Sequence, residues 1–302
     1  MSSVPLAIPA GRSQTPAGPE PSAERPLPRA NLPATVIEPS KGWRTGNIRE
    51  LWRYHELLYF LSWRDIKVQY KQTVLGPAWA VLRPVANLVV FSVVFGKLVG
   101  IPSGGVAYPI FVYAGLLPWM FFSTSVVSSS NSLLSHAHLL SKIYFPRVLL
   151  PAASISSSLV TFGVNFGIYV FLMIWYAQAP GLTVLLLPLL VVLASMTALG
   201  VGYLLAGLAV IYRDIRFLVP SMVQLWMYLS PVIYPVTLVP EPYRRLLVLN
   251  PMTGIIGGFR ATLLNQPVDF WSLGFSTVFA LMVFVVGLCV FHRTERRFAD
   301  VA

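Results

Sequence analysis

Six apolar runs in succession constrain this chain more than anything else in it. They cover about residues 79–99, 109–131, 149–176, 182–211, 217–236 and 271–291. Each is close to the ~20 residues that an α-helix needs to cross the hydrocarbon core of a bilayer. The spacing predicts an all-α membrane protein with six spans. Charge agrees: only 11% of the 302 residues are charged and the mean hydropathy is +0.69, whereas a soluble domain carries roughly 25% charged residues. The third and fourth runs are longer than a crossing requires, which points to tilt or to extension beyond the bilayer. Pro188, Pro220, Pro231 and Pro235 predict kinks where neighbours satisfy the freed carbonyls.

Two segments precede the first run. Residues 1–42 hold nine of the 25 prolines and lack the apolar core of a signal peptide. Such a composition buries too little apolar surface to offset its ordering entropy, so it reads as a disordered cytoplasmic tail. Residues 43–302 form the membrane domain and open with an interface helix over 43–75. There Leu51, Tyr54, Leu58 and Leu61 recur at helical spacing, and Arg64, Lys67 and Lys71 fall at i, i+3 and i+7. Trp52, Tyr54, Tyr59 and Trp63 suit the headgroup zone, so the pattern predicts a helix on the membrane surface facing anionic lipid.

Basic residues set the orientation. Seventeen of the 22 Lys and Arg fall before the first span, in the second and fourth connections, or after the last span. Four, Lys97, Arg244, Arg245 and Arg260, fall on the other side. Positive residues stay inside, so both termini are expected in the cytoplasm. The net charge of +11 is then a cytoplasmic cation excess rather than a sign of nucleic acid.

What is missing excludes several functions. None of the 11 carboxylates falls at mid-span, and proton- or sodium-coupled transporters usually bury ionisable groups there. No G-x-x-x-x-G-K-[ST] phosphate loop occurs; Gly96-Lys97 lacks the upstream glycine and the Ser or Thr. Paired glycosyltransferase carboxylates and a Ser-His-Asp set are absent as well. His136 and His138 lie two apart with no third ligand nearby, an ordinary polar pair rather than a metal site. The single cysteine, Cys289, excludes a disulfide framework. The energy source is therefore expected on another chain.

Three stretches carry the remaining information. RDIKVQYKQTVLGPAWAVLRP, Arg64 to Pro84, joins the cationic helix to the first span through a Gly76-Pro77 turn. Force on that helix would reach the span. HAHLLSKIYFPRVLLP, His136 to Pro151, sets Ile143, Tyr144 and Phe145 between Lys142 and Arg147; a short cytoplasmic connection has no solvation reason to carry them, whereas docking into a partner's cleft or packing on the chain's own helices explains them. PEPYRRLLVLNPMTGIIGGFRATLL, Pro240 to Leu264, is too apolar for a free loop and too interrupted to cross. It predicts two short re-entrant or interfacial helices broken at Asn250-Pro251 and Gly257-Gly258.

Over about residues 45–298 the chain resembles the permease subunits of ABC exporters for polysaccharides attached to an undecaprenyl-type lipid. The resemblance rests on RDIKVQYKQTVLGPAWAVLRP, YPIFVYAGLLPWMFF, KIYFPRVLLP, YRDI, SPVIYP and NPMTGIIGGFR, in the order typical of O-antigen, teichoic-acid and capsule exporters. It implies a homodimer with two ATP-hydrolysing subunits, which bind the ATP and Mg, and no cofactor or catalysis on this chain. Docking would use Arg64, Asp65, Lys67, Lys71, His138, Lys142, Ile143, Tyr144, Phe145 and Arg147. Aromatic rings suit sugar faces, so Tyr113, Trp119, Phe122, Tyr169, Trp226, Tyr228 and Tyr234 become candidates for the path, although rings near span ends also form interfacial belts. Tyr243, Arg244, Arg245, Asn250, Pro251 and Arg260 would shape an external gate. Two other readings stay open: an ABC permease for a drug or hydrophobic small molecule, and a membrane enzyme of lipid-linked glycan assembly.

Overall fold

The apolar runs fold as helices, and the computed structural model describes residues 54–71, 75–140 and 145–295. Helix α1, His55–Tyr70, ends where Lys71 turns extended at ψ 136°. Gly76 takes φ +50°, a left-handed geometry that glycine adopts without penalty, and Pro77 sits in the first turn beyond it. From there α2, Trp79–Phe91, continues through π-helical turns to Leu98, completing a 23-residue span from Gly76. Next come α3, Tyr108–Ser135, and α4, Leu149–Trp175. A 3₁₀ turn over Leu182–Leu186 leads into α5, Leu187–Ile211. The remaining helices are α6, Ile215–Leu229, α7, Glu241–Val248, α8, Pro251–Leu263, and α9, Phe270–Glu295. The expected tail and the first part of the interface helix, residues 43–53, lie outside the described residues.

Five of these segments are long and apolar enough to cross a membrane. The fifth expected span, 217–236, is the exception. Helix α6 has 15 residues, roughly 22 Å at 1.5 Å per residue, short of the roughly 30 Å hydrocarbon core. It stops because Ser230 precedes Pro231: proline disfavours the helical conformation in its predecessor, and Ser230 is extended at φ −101°, ψ 146°. Residues 230–235 continue without regular structure.

The interrupted segment behaves as expected at its first break and differently at its second. Helices α7 and α8 meet at a bend of 98°, with Asn250 accepting the Met252 amide at 3.0 Å as an N-cap. Gly257 and Gly258, expected to break the chain, lie inside α8. At Gly258 a Cβ would approach a Leu190 methyl to 2.8 Å, so this glycine serves the approach of α8 to α5.

Helix α3 is the hub. It packs on α4, α5, α6 and α8, and 78% of its most apolar window is buried, against 11% for the Gly76–Leu98 span and 17% for α9. The outer helices thus leave their apolar faces to hydrocarbon while α3 is surrounded by protein. Small residues bring α5 and α9 together: a Cβ on Gly287 would lie 2.2 Å from the Gly200 carbonyl oxygen. Such contact between backbones favours association in lipid through dispersion rather than the hydrophobic effect.

Candidate functional site

Two clusters, each built on an arginine, lie at the two ends of α3. At its carboxyl end, helix α1 docks with Leu61 buried in a second core of Leu133, Phe145, Leu150, Tyr203 and Phe291. Tyr54, Leu57 and Leu58 pack on the same core, so the described part of the apolar stripe, Tyr54, Leu58 and Leu61, faces the bundle, while Leu51 lies outside the described residues. Ser62 Oγ donates across to the Ala153 carbonyl at 3.2 Å.

Beside that contact stands His136, buried and just past the end of α3. Its Nδ1 lies 2.7 Å from the Ser132 carbonyl oxygen, which only accepts, so Nδ1 carries the proton. Nε2 is left as an acceptor and takes a hydrogen bond from Arg64 Nη2. Asp65 Oδ1 closes the group at 3.3 Å from Arg64 and 3.4 Å from His136 Nε2. Burial first, and then the Arg64 charge, hold the His136 pKa below its ordinary 6.5, against the Ser132 hydrogen bond and the Asp65 charge, which raise it. Protonation would aim a second cation at the Arg64 guanidinium.

Arg64 and Asp65, expected to face a partner, are thus engaged within the chain. Lys67 is exposed with its ammonium 5.4 Å from the Trp63 ring centroid, and Lys71 is exposed. His138 lies on the short turn Ala137–Leu140, exposed. Phe145 is buried in the second core, and Arg147 Nη1 donates to the Glu295 carbonyl at 3.1 Å. Lys142, Ile143 and Tyr144 lie outside the described residues.

At the amino end of α3, one stripe of the helix meets the segment that follows α6. Tyr108, Phe111 and Gly115 stand at i, i+3 and i+7, and therefore share a face. Arg260, only 6% exposed, reaches in from α8. Its Nη1 donates to the carbonyls of Pro231 at 2.8 Å and Tyr234 at 3.1 Å, and its Nη2 to that of Val232. The guanidinium carbon lies 4.1 Å over the Phe111 ring, and Tyr108 Oη donates to the Ile233 carbonyl at 3.0 Å. Further out, Arg244 donates to the carbonyls of Thr237 and Val239. Tyr243 and Arg245 are exposed, and Pro251 is buried in the first turn of α8.

The ring residues fall into two groups. Tyr113 and Tyr169 stack at 6.3 Å between α3 and α4, both fully buried. Trp119, Phe122 and Trp226 cluster between α3 and α6, with centroids 5.2–6.4 Å apart. Trp226 Nε1 donates to Asn250 Oδ1 at 3.1 Å and Asn250 Nδ2 to Ser230 Oγ at 2.8 Å, which ties this cluster to the α7–α8 bend. Tyr228 is exposed and Tyr234 half-buried. Sequence reasoning placed Tyr108 and Gly115 in the outer half of the second span without a site role, and missed Phe111, Ser132 and Ser230. The i, i+3, i+7 spacing in YPIFVYAG was the available signal for Tyr108, Phe111 and Gly115.

Comparison with known proteins adds to this geometry. The family described as ABC-2 type transporter matches residues 56–264, from α1 through α8. An O-antigen export system permease protein, RfbA, of Myxococcus xanthus is 32% identical over 218 residues, 71% of this chain and 82% of that protein. A protein of the same name from Klebsiella pneumoniae is 26% identical over 249 residues, 82% of this chain and 95% of its own length. The polysialic acid transport protein KpsM of Escherichia coli is 22% identical over 242 residues, 77% of this chain and 91% of its own.

Proposed function

The chain belongs to the ABC-2 type transporter family, and on that premise we propose that it is the permease subunit of a polysaccharide exporter powered by a separate ABC ATPase subunit. What carries this reading is the reach of the likeness: 82% of the chain runs parallel to 95% of an O-antigen export permease. The family match alone takes in both the joint at α1 and the segment held by Arg260. The lack of any mid-span carboxylate suits a protein whose energy arrives mechanically from outside.

In this reading two copies of the chain frame a central path and two ATPase subunits bind the ATP and Mg. The chain lies in the cytoplasmic membrane, with α1 and both termini on the cytoplasmic side and α7–α8 at the outer face. The cargo is a glycan on an undecaprenyl-type lipid. The motor docks on α1 and the 136–147 connection, where the exposed Lys67 and Lys71 offer cations to it. Because α1 is pinned to α3 and α4 through His136 and Ala153, a push on α1 moves the bundle rather than a loose helix. Trp226, Tyr228 and Tyr234 line the path on the α6 side; Tyr113 and Tyr169 are sealed between α3 and α4 and meet glycan only where those helices part.

The test is purification of the tagged chain from its own membrane, followed by reconstitution with whatever ATPase accompanies it. ATP-dependent movement of lipid-linked glycan to the far side of a vesicle is expected. Movement driven by an ion gradient without the ATPase, or ATP-driven export of hydrophobic drugs but no glycan, would overturn the proposal.

A further inference from the structure

Four successive carbonyls, those of Pro231, Val232, Ile233 and Tyr234, accept side-chain donors. That pattern has a physical cause. The segment lies between apolar helices and makes no helix of its own, and unsatisfied backbone there would be expensive; irregular backbone at membrane depth survives only where other groups complete it. Arg260 from α8 completes three of the four and Tyr108 from α3 the other. A planar guanidinium with five fixed donors can serve several acceptors at once, which a lysine cannot. The fit is tight: a Cβ on Gly115 would lie 2.7 Å from both Arg260 Nη2 and the Val232 oxygen. Glycine at 115 therefore makes room for the clamp on the face of α3.

The same helix carries the α1 joint at its other end, through His136. Its 28 residues span about 42 Å at 1.5 Å per residue. We propose that Arg260 is a positioning residue of the transport cycle: with Tyr108 it clamps the unwound 230–235 segment to α3 and α8, so that this end of the path opens as one body and only when α3 moves. The proposal rests on the reading of the chain as an exporter permease, but the clamp can be judged separately. Without it, the unwound segment would leave α3 spontaneously, and ATP hydrolysis would no longer set when the outer end opens.

The experiment uses the full permease–ATPase complex in vesicles, with Cys289→Ser removing the chain's one cysteine and Leu238→Cys as a reporter. Leu238 is 52% exposed beside the clamp. Labelling by a membrane-impermeant maleimide is compared with nucleotide absent and with ATP trapped, alongside glycan exported per ATP hydrolysed. The unaltered clamp should give labelling that depends on nucleotide. Arg260→Gln should give high labelling in both states and about a tenfold loss of export per ATP with hydrolysis retained. Arg260→Lys, which keeps the charge but not the fork, should share that loss, and Tyr108→Phe, which keeps the ring, should show a smaller one. Nucleotide-dependent labelling and normal coupling in both Arg260→Lys and Tyr108→Phe would overturn the clamp. So would loss of assembly, hydrolysis and export together in the Arg260 variants with the Tyr108→Phe reporter unchanged, since that marks a purely structural role. If the unaltered complex exports no glycan, the permease reading fails, and the labelling contrast alone decides the clamp.

Discussion

An arginine holds each end of α3, and the two are held in different company. Arg64 is one-third exposed and shares its joint with the side chains of His136, whose pKa is lowered, and Asp65. Arg260 is buried and donates to backbone carbonyls, which do not titrate. The first joint binds one helix surface to another through side chains, two of them partly exposed and one, His136, buried. The second completes a backbone with no other way to satisfy itself. Under the proposed function the contrast would suit different duties: an adjustable contact where α1 meets the bundle, and a fixed contact where the outer end of the path opens only when α3 moves.

Removing Arg260 breaks this comparison most severely. Arg260→Ala leaves three carbonyls without donors, those of Pro231 and Val232 buried and that of Tyr234 partly buried, and should destabilise the protein by about 3–5 kcal/mol. The measurement is thermal unfolding in detergent, where Arg64→Ala at the partly exposed joint should lose less than half as much. Equal losses would mean that burial does not separate the two joints. Gly115→Ala comes next. Its added methyl must displace either the Arg260 fork or the Val232 carbonyl, and overpacking of that kind costs about 1–3 kcal/mol. A neutral result would show that the clamp has room to relax.

The expected six spans also bear on the contrast. Hydropathy located every apolar run, because burial in lipid is written in composition. It misplaced the fate of one run, because a window average gives Ser230 and Pro231 no weight as a stop, whereas backbone sterics do. Arg260 was legible as a cation in an apolar stretch, and Asn250-Pro251 as a helix start. The partners of Arg260 were not legible, since a carbonyl oxygen has no letter in a sequence. His136 read as half of an inert pair with His138. Only the fold brings Arg64 and Asp65 across from α1 to reveal it as a joint.

Tyr108→Phe sharpens the comparison more gently. It removes one donor, that to the Ile233 carbonyl, and keeps the ring against Phe111. A single neutral hydrogen bond of this kind contributes about 1 kcal/mol, so the unfolding midpoint should fall by less than for Gly115→Ala. A drop as large as that of Arg260→Ala would mean that Tyr108, rather than Arg260, is the principal holder.

The smallest effect is the one that only the α1 joint can show. His136 has its pKa lowered in the folded chain, chiefly by burial, so the unfolded chain or the undocked α1 binds its proton more readily. Stability from the joint is then fully present above the ordinary value of 6.5 and is lost as pH falls below it toward the folded value. Amide exchange along α1, corrected for its intrinsic pH dependence, should show weaker protection at about pH 5.5 than at about pH 7.5. The amides of α8 around Arg260 should show no such change. Changing His136 to Gln, which keeps a donor and an acceptor but does not titrate in this range, should flatten the response of α1. If α1 loosens equally in that variant, the pH sensitivity does not belong to His136, and the distinction between the joint at α1 and the clamp at Arg260 would rest on exposure alone.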